Sequence, residues 1–505
     1  MNPEYRRYLL DSGFQPFAEL ADALENTPPV TAIRLNPRKP GAVPSEGARP
    51  VPWHPNAYLL PERPDFTLDP AMHQGAYYVQ DPSSMFVAEI LRQLLPSLPP
   101  TPRVLDLCAA PGGKTTAITD LLPDGSLMVS NEYDFRRAEI LKENIIKWGY
   151  PWSVVTRGDT ARFRALPGFF DLVVVDAPCS GEGMMRKDPK AAQQWSPLLV
   201  RQCAALQEEI LDNAAATLRP GGFLVYSTCT FNPDENERQT ARLLATGAFA
   251  PVPITLDPAW NILSTLPPHV GTRRAAYDMP SLRFLPGRVE GEGYTVAVLR
   301  KTEAAPDYPA VGWSEPKAGG HPRREDPRKP RRGKKDNRDN SRQPQFPEAE
   351  LMARVPASLR SAIASLHPRL ASWRDGEIAA IPEAIHPSFL TLSPHLDIIH
   401  AGITLAEVKG RDCLPTQSLA MAAPPLWRGE AERPSPFPSF EIDTATALAY
   451  LRRQSLSLPA EAPRGYLLLT HRPSPGAAPL PLGFVKNLGN RANNLYPAPW
   501  RVLKS

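Results

Sequence analysis

From residue 72 to residue 301, apolar runs of strand length alternate with amphipathic runs of helix length. Val104–Leu107, Ser126–Asp134, Val154–Asp159, Phe169–Asp176 and Phe223–Cys229 are the strand-like runs, a helix starts at Lys114, and a longer one runs from about Leu198 to Leu218. Such alternation specifies a parallel sheet covered by helices. The expected fold class is therefore α/β, a doubly wound, Rossmann-like domain over residues 72–301. Upstream, Tyr5–Leu24 has a short helical pattern and Ala32–Asn36 reads as a strand, so residues 1–71 form a small accessory domain. Residues 302–347 are Pro, Gly, Lys and Arg with almost no aliphatics, the composition of a linker. Residues 348–505 open on a helical pattern (Glu348–Trp373) and continue with strand-like pieces such as Gly465–His471, an α+β extension.

Composition narrows the class. The chain has 505 residues, 42% of them hydrophobic, enough for two to four domains with ordinary cores. No apolar run reaches the roughly 18–20 residues of a membrane helix, and MNPEYRRYLLDSGF lacks a signal peptide's apolar stretch. Cys108, Cys179, Cys203, Cys229 and Cys413 are scattered, which fits neither a disulfide framework nor a CxxC metal site; no metal is expected. The net charge of +4 says little by itself, but Lys317–Arg342 carries eleven Lys and Arg against four Asp and Glu. Composition leaves that segment open between a solvated spacer and a tether for nucleic-acid phosphates. Proline, at 61 residues, is well above average and clusters outside the periodic segments, as in rigid loops.

The candidate chemistry sits at strand ends. Arg103–Ile118 reads as a strand, a turn of small residues and a helix start, where the backbone can approach a ligand closely. It holds only Gly112 and Gly113, so the dinucleotide pattern GxGxxG is not met. Glu132 follows Gly112 by 20 residues, the spacing at which a carboxylate takes a ribose hydroxyl pair; a surface carboxylate is the bland alternative. Asp159 ends the next strand, placed to accept from an adenine amine or simply to cap a turn ahead of Thr160. The most apolar strand ends in Asp176-Ala177-Pro178-Cys179 and runs into a Gly-rich, charged loop; a later strand ends at Cys229. A lone cysteine there is usually packing. Two thiols at strand ends facing one crevice are harder to explain so, while Cys203, on a helix face with Leu206 and Ile210, reads as core.

DLCAAPGGKTT, DAPCSGEGMMRKDP and YSTCTFNPDENE, in this order, resemble the Sun/Fmu family of S-adenosylmethionine-dependent RNA (cytosine-5) methyltransferases, and most closely its RsmF-like branch acting on 16S ribosomal RNA. WRDGEIAAIP and FVKNLGNRANNLYPAPWRV are similar, less specifically, to that branch's C-terminal extension with a small PUA-like RNA-binding barrel. The resemblance implies that Cys229 is the nucleophile that adds to cytosine carbon 6, that Cys179 assists product release, and that Asp176 meets the N3–amino edge of the base. It implies a cofactor site for S-adenosyl-L-methionine lined by Cys108, Ala109, Ala110, Pro111, Gly112, Gly113, Lys114, Glu132, Asp159 and Asp176. Lys187 is either a substrate contact or a surface lysine. The expected partner is 16S rRNA or the small ribosomal subunit, met by a cytoplasmic monomer without DNA or membrane. The long basic linker and the proline content depart from the family pattern.

Rival readings have discriminating features. An amino-methyltransferase uses an Asn/Asp-Pro-Pro-aromatic loop where this chain has Asp-Ala-Pro-Cys. A DNA cytosine-5 enzyme attacks with the Pro-Cys thiol and has no need of Cys229. A catalytically idle ribosome-assembly factor on the same fold needs neither cysteine, and a tRNA substrate stays open because these motifs do not read bases.

Overall fold

The computed structural model describes residues 1–11, 15–264, 281–303, 348–356, 367–372, 376–409, 412–427 and 437–504. Its centre is a five-stranded parallel sheet built, in chain order, from β1 (Arg103–Asp106), α1 (Gly113–Thr119), β2 (Leu127–Glu132), α2 (Phe135–Trp148), β3 (Ser153–Arg157), β4 (Phe170–Asp176), α3 (Pro197–Thr217) and β5 (Leu218–Thr228). The spatial order is β3-β2-β1-β4-β5. The chain reverses its winding between β1 and β4, and the crevice outside the carboxyl ends of these strands is where such a sheet binds ligands. Leu172, Val173, Val174 and Val175 are all buried. Helices on both faces of a parallel strand remove its polar side, which is why β4 reads as a continuous apolar run.

Three strands continue the sheet past β5: β6 (Phe249–Pro251), β7 (Leu282–Phe284) and β8 (Tyr294–Lys301). β8 lies antiparallel to β5, and β6 and β7 both pair with β8. The opposite edge is closed by a strand from far down the chain, β9 (Ile398–Ala401), antiparallel to β3. The N-terminal region supplies helices Pro3–Asp11 and Gln15–Asn26 and a four-stranded sheet, and its Tyr5, Phe17 and Leu20 share a core with Trp195 and Phe231. Beyond residue 348 stand two further four-stranded sheets, one containing Ile403–Lys409 and the other Gly465–His471 and Leu480–Asn487. The architecture is thus the α/β class read from the chain, with additions at both ends.

Local signals set the element ends. Asp134 caps α2, its Oδ1 accepting from the N–H groups of Arg136 and Arg137, and Gly149 ends that helix with φ 88°. Two readings need correction. Among the described residues of the Glu348–Trp373 helical pattern, Glu348–Arg354 is a helix but Arg369–Ala371 is a strand paired with Ala379–Ile381, since Pro368 cannot continue a helix and the strand partner supplies the backbone bonds instead. Residues 357–366 and Trp373 lie outside the described residues, as does the basic segment Lys317–Arg342. On α3, Leu206 is exposed and Cys203 only half-buried, because the buried face carries Gln207 and Ile210. Among the described residues no helix is long and apolar enough to cross a membrane, and no three metal-ligating side chains gather.

Candidate active site

β1 ends at Asp106, and the small-residue turn that follows is tied from outside. Arg137 Nη2 donates to the Ala110 carbonyl at 2.9 Å, Asn144 Nδ2 to the Pro111 carbonyl at 2.8 Å, and the Tyr78 hydroxyl to that same oxygen at 3.2 Å. The Ala109 N–H donates to the Asn131 carbonyl in β2 at 2.8 Å. Gly112 has φ 111°, backbone that a side chain would strain, and it leads into Gly113 and α1.

Three carboxyls face this turn. Thr115 Oγ1 donates to Asp106 Oδ2 at 2.6 Å, while Asp106 Oδ1 is buried without a partner. Burial pushes Asp106 up to about 7; the Thr115 bond opposes the rise and Asp176 adds to it. Glu132 is buried at the end of β2, with Oε1 accepting from the Asp134 N–H at 2.9 Å and Oε2 3.4 Å from Arg137 Nη1. Asp176, at the end of β4 and 35% exposed, lies 2.8 Å from Lys114 Nζ through Oδ2 and accepts from Ser227 Oγ at 2.9 Å through Oδ1. Burial works against the charge on Lys114, but Asp176 outweighs it and the ammonium is held more firmly. Cys108 is raised well above the usual thiol range by burial and by the surrounding carboxyls, so it stays a neutral wall of the site.

This donor set suits a ligand that brings positive charge and a hydroxyl pair. The orphaned Asp106 oxygen and the neighbouring Glu132 and Asp176 match the sulfonium, ammonium and ribose of S-adenosylmethionine. Asp159 is exposed, and its Oδ1 accepts from the Ala161 N–H at 2.9 Å and caps the short turn Thr160–Ala165. Lys187 Nζ is 3.5 Å from Glu292 Oε1, a carboxylate it shares with Arg186 Nε at 3.0 Å.

The two strand-end thiols meet. Asp176 and Ser227 are register partners in β4 and β5, so Cys179 and Cys229 leave adjacent strands side by side. Their Sγ atoms are 3.1 Å apart, both cysteines are free and both are half-buried. The hydrogen bond to Cys229 and then burial raise the Cys179 thiol well above its ordinary value, so its proton is retained. The loops carrying the thiols also touch through backbone: the Gly183 N–H donates to the Cys229 carbonyl at 2.8 Å. A Cβ on Gly183 would sit 2.9 Å from that oxygen, which explains the glycine.

Several site residues were not singled out from sequence: Asp106, Ser227, Glu182, Glu235, Gln207 and Asn232. The signal for Glu182 and Glu235 was an acidic residue in each of the Gly-, Pro- or Asn-rich loops beside the two cysteines. Nothing local marked Gln207, which looks like any polar position on an amphipathic helix.

Comparison with known proteins places the chain in a family. The family model for 16S rRNA methyltransferase RsmB/F matches residues 95–300, that for the N-terminal domain of 16S rRNA methyltransferase RsmF matches 4–82, and that for the methyltransferase RsmF PUA domain matches 437–502. The chain is 32% identical over 464 residues to the ribosomal RNA small subunit methyltransferase F of Klebsiella pneumoniae (strain 342), covering 89% of this chain and 83% of that protein. It is likewise 32% identical over 461 residues to the protein of the same name from Escherichia coli O157:H7, covering 89% and 84%. With its N-terminal, catalytic and C-terminal segments each matched, and about a third of its residues identical to such a relative over 89% of the chain, the chain belongs to the RsmF family of S-adenosylmethionine-dependent RNA methyltransferases.

Proposed function

We propose that this enzyme methylates carbon 5 of a cytosine in 16S ribosomal RNA, through a covalent adduct on Cys229 that is released with help from Cys179. The observation that carries the reading is the pair of free thiols 3.1 Å apart at adjacent strand ends, beside a crevice of three carboxyls. Carbon 5 of cytosine is a weak nucleophile. Cys229 gives up its thiol proton to water, and addition of the resulting thiolate to carbon 6 pushes electron density onto carbon 5 and divides one hard step into easier ones. S-adenosylmethionine, held by the 108–114 turn, Asp106, Glu132 and the Asp159 rim, supplies the electrophilic methyl group. Asp176, fixed by Lys114 and Ser227, takes the N3–amino edge of the base, where charge changes during addition.

Release then needs three changes. The carbon-5 proton leaves to water, its electron pair restores the ring double bond, and the carbon–sulfur pair returns to Cys229. Cys179, which keeps its proton, faces that sulfur and donates to it as charge returns. Base access requires an unpaired or flipped nucleotide. The PUA-type domain and the basic linker, the latter outside the described residues, are the RNA-holding parts in this reading. The enzyme is taken to work as a cytoplasmic monomer with no role for DNA or membrane.

The test is methyl transfer from labelled S-adenosylmethionine to small ribosomal subunits, naked 16S rRNA and tRNA, with bisulfite sequencing to locate the product. New 5-methylcytosine in 16S rRNA, lost in Cys229→Ala, is the expected result. Label confined to tRNA overturns the substrate, and no 5-methylcytosine in any RNA overturns the reaction.

A further inference from the structure

The loops that carry the two thiols hold each other through crossed carboxylates. Glu182 belongs to the Cys179 loop, yet its Oε2 accepts from the N–H groups of Phe231 and Asn232 in the Cys229 loop, at 2.7 and 3.1 Å. Its Oε1 accepts from Asn232 Nδ2 at 2.9 Å and Trp195 Nε1 at 3.2 Å. Glu235 belongs to the Cys229 loop, yet its Oε2 accepts from the Ser180 N–H at 2.9 Å and its Oε1 from Ser180 Oγ at 2.5 Å. Gln207 Nε2 joins this second set, donating both to Glu235 Oε2 and to the Pro178 carbonyl at 2.9 Å.

Both carboxyls are fully buried, and each is served by several donors. Burying two carboxyls close together is costly: burial raises both toward their protonated forms, and the charge of Glu235 adds to the rise of Glu182. Apolar packing would join two loops with less penalty. Directional bonds instead fix where each loop lies, and the atoms that they fix flank the reacting sulfurs: Pro178 and Ser180 on either side of Cys179, and Phe231 and Asn232 shortly after Cys229.

We infer that the crossed pair divides the labour of positioning, with Glu235 and its partners Ser180 and Gln207 aiming Cys179 at the adduct sulfur, and Glu182 aiming Cys229 at the base. The inference rests on the adduct-and-release reading above. In that scheme a displaced Cys179 leaves addition intact and slows only the return of the electron pair to Cys229 with loss of the carbon-5 proton to water. A displaced Cys229 slows addition itself.

The experiment uses the full-length enzyme, a 16S rRNA fragment containing the modified cytosine and S-adenosylmethionine. It follows turnover together with protein–RNA adduct that survives denaturing electrophoresis. Glu235→Gln keeps the side-chain shape and Ser180→Ala removes a single hydroxyl, so one of the two retains the fold if the other does not. Both are expected to lower turnover several-fold while adduct accumulates, as in Cys179→Ala. Glu182→Gln is expected to lower turnover and adduct together. If Cys179→Ala accumulates adduct but Glu235→Gln and Ser180→Ala do not, the positioning role of Glu235 is overturned and the release role of Cys179 stands. If Cys179→Ala itself accumulates none, the release reading fails and the inference fails with it.

Discussion

Cys179 Sγ and Cys229 Sγ face each other at 3.1 Å although 50 residues separate them in the chain. About one ångström of movement brings two such sulfurs to bonding distance. Treatment with diamide, which removes two hydrogens, is therefore expected to join them and stop methyl transfer, and dithiothreitol to restore it. Intact mass with peptide mapping checks the outcome. Crosslinking elsewhere, or none in active protein, contradicts the arrangement.

Asp176 is held between Lys114 and Ser227 with about a third of its surface open to the crevice. Asp176→Asn keeps the shape and removes the charge. Methyl transfer at saturating cofactor is expected to fall roughly 10²–10³-fold, the usual loss for one preorganised electrostatic group. The melting temperature should change little. Single-turnover rates and a thermal melt separate the two effects.

Asp106 ionises at about 7 because it is buried. Its raised value means that the folded apo-protein holds this proton where the unfolded chain has lost it. The carboxyl thus favours folding least above pH 7 and increasingly as pH falls from 7 toward 4. Binding of a cationic ligand draws on the ionised form, so affinity for S-adenosylmethionine is expected to rise by up to about tenfold from pH 6 to pH 8. Calorimetry on wild type and Asp106→Asn checks this, since the variant should show a flatter profile.

Arg157 and Asp397 join the catalytic sheet to the C-terminal region. Arg157 Nε and Nη2 donate to Asp397 Oδ2 at 3.0 and 2.6 Å, and the Arg157 N–H donates to the Asp397 carbonyl at 2.9 Å. The next residue, Gly158, is bonded to both Glu132 and Asn131, and Asp159, proposed above for the cofactor site, follows it. Asp397→Asn is expected to cost about 1 kcal/mol of stability, as a part-exposed pair does. It should also weaken S-adenosylhomocysteine binding several-fold while leaving kcat at saturation nearly unchanged. Equal losses in both would show that the pair does more than hold the rim.

Much of the fold was legible because strands such as Phe170–Asp176 and helices such as Pro197–Thr217 are written in near-neighbour periodicity and end signals. The failures share a cause. The run to Trp373 looked helical, but Arg369–Ala371 is held by backbone bonds to Ala379–Ile381, a partner that periodicity does not name. Cys203 and Leu206 looked like a core face, but the buried position between them and Ile210 is Gln207, drawn inward by Glu235 and Pro178. For Asp159, of the two roles that the chain allowed, the contacts show the cap on the turn Thr160–Ala165.

By itself, then, the sequence determined the order of elements, the parallel-sheet class and the residue types at each strand end, because these depend on side-chain character over a few residues. Only the tertiary structure decided that Ile398–Ala401 completes the catalytic sheet, that Lys114 is spoken for by Asp176, and that Glu182 and Glu235 cross between the thiol loops. Each of those outcomes is a pairing of distant polar groups. Burial makes such groups find partners, and which partner is within reach is set by how strands stack, not by where residues fall along the chain.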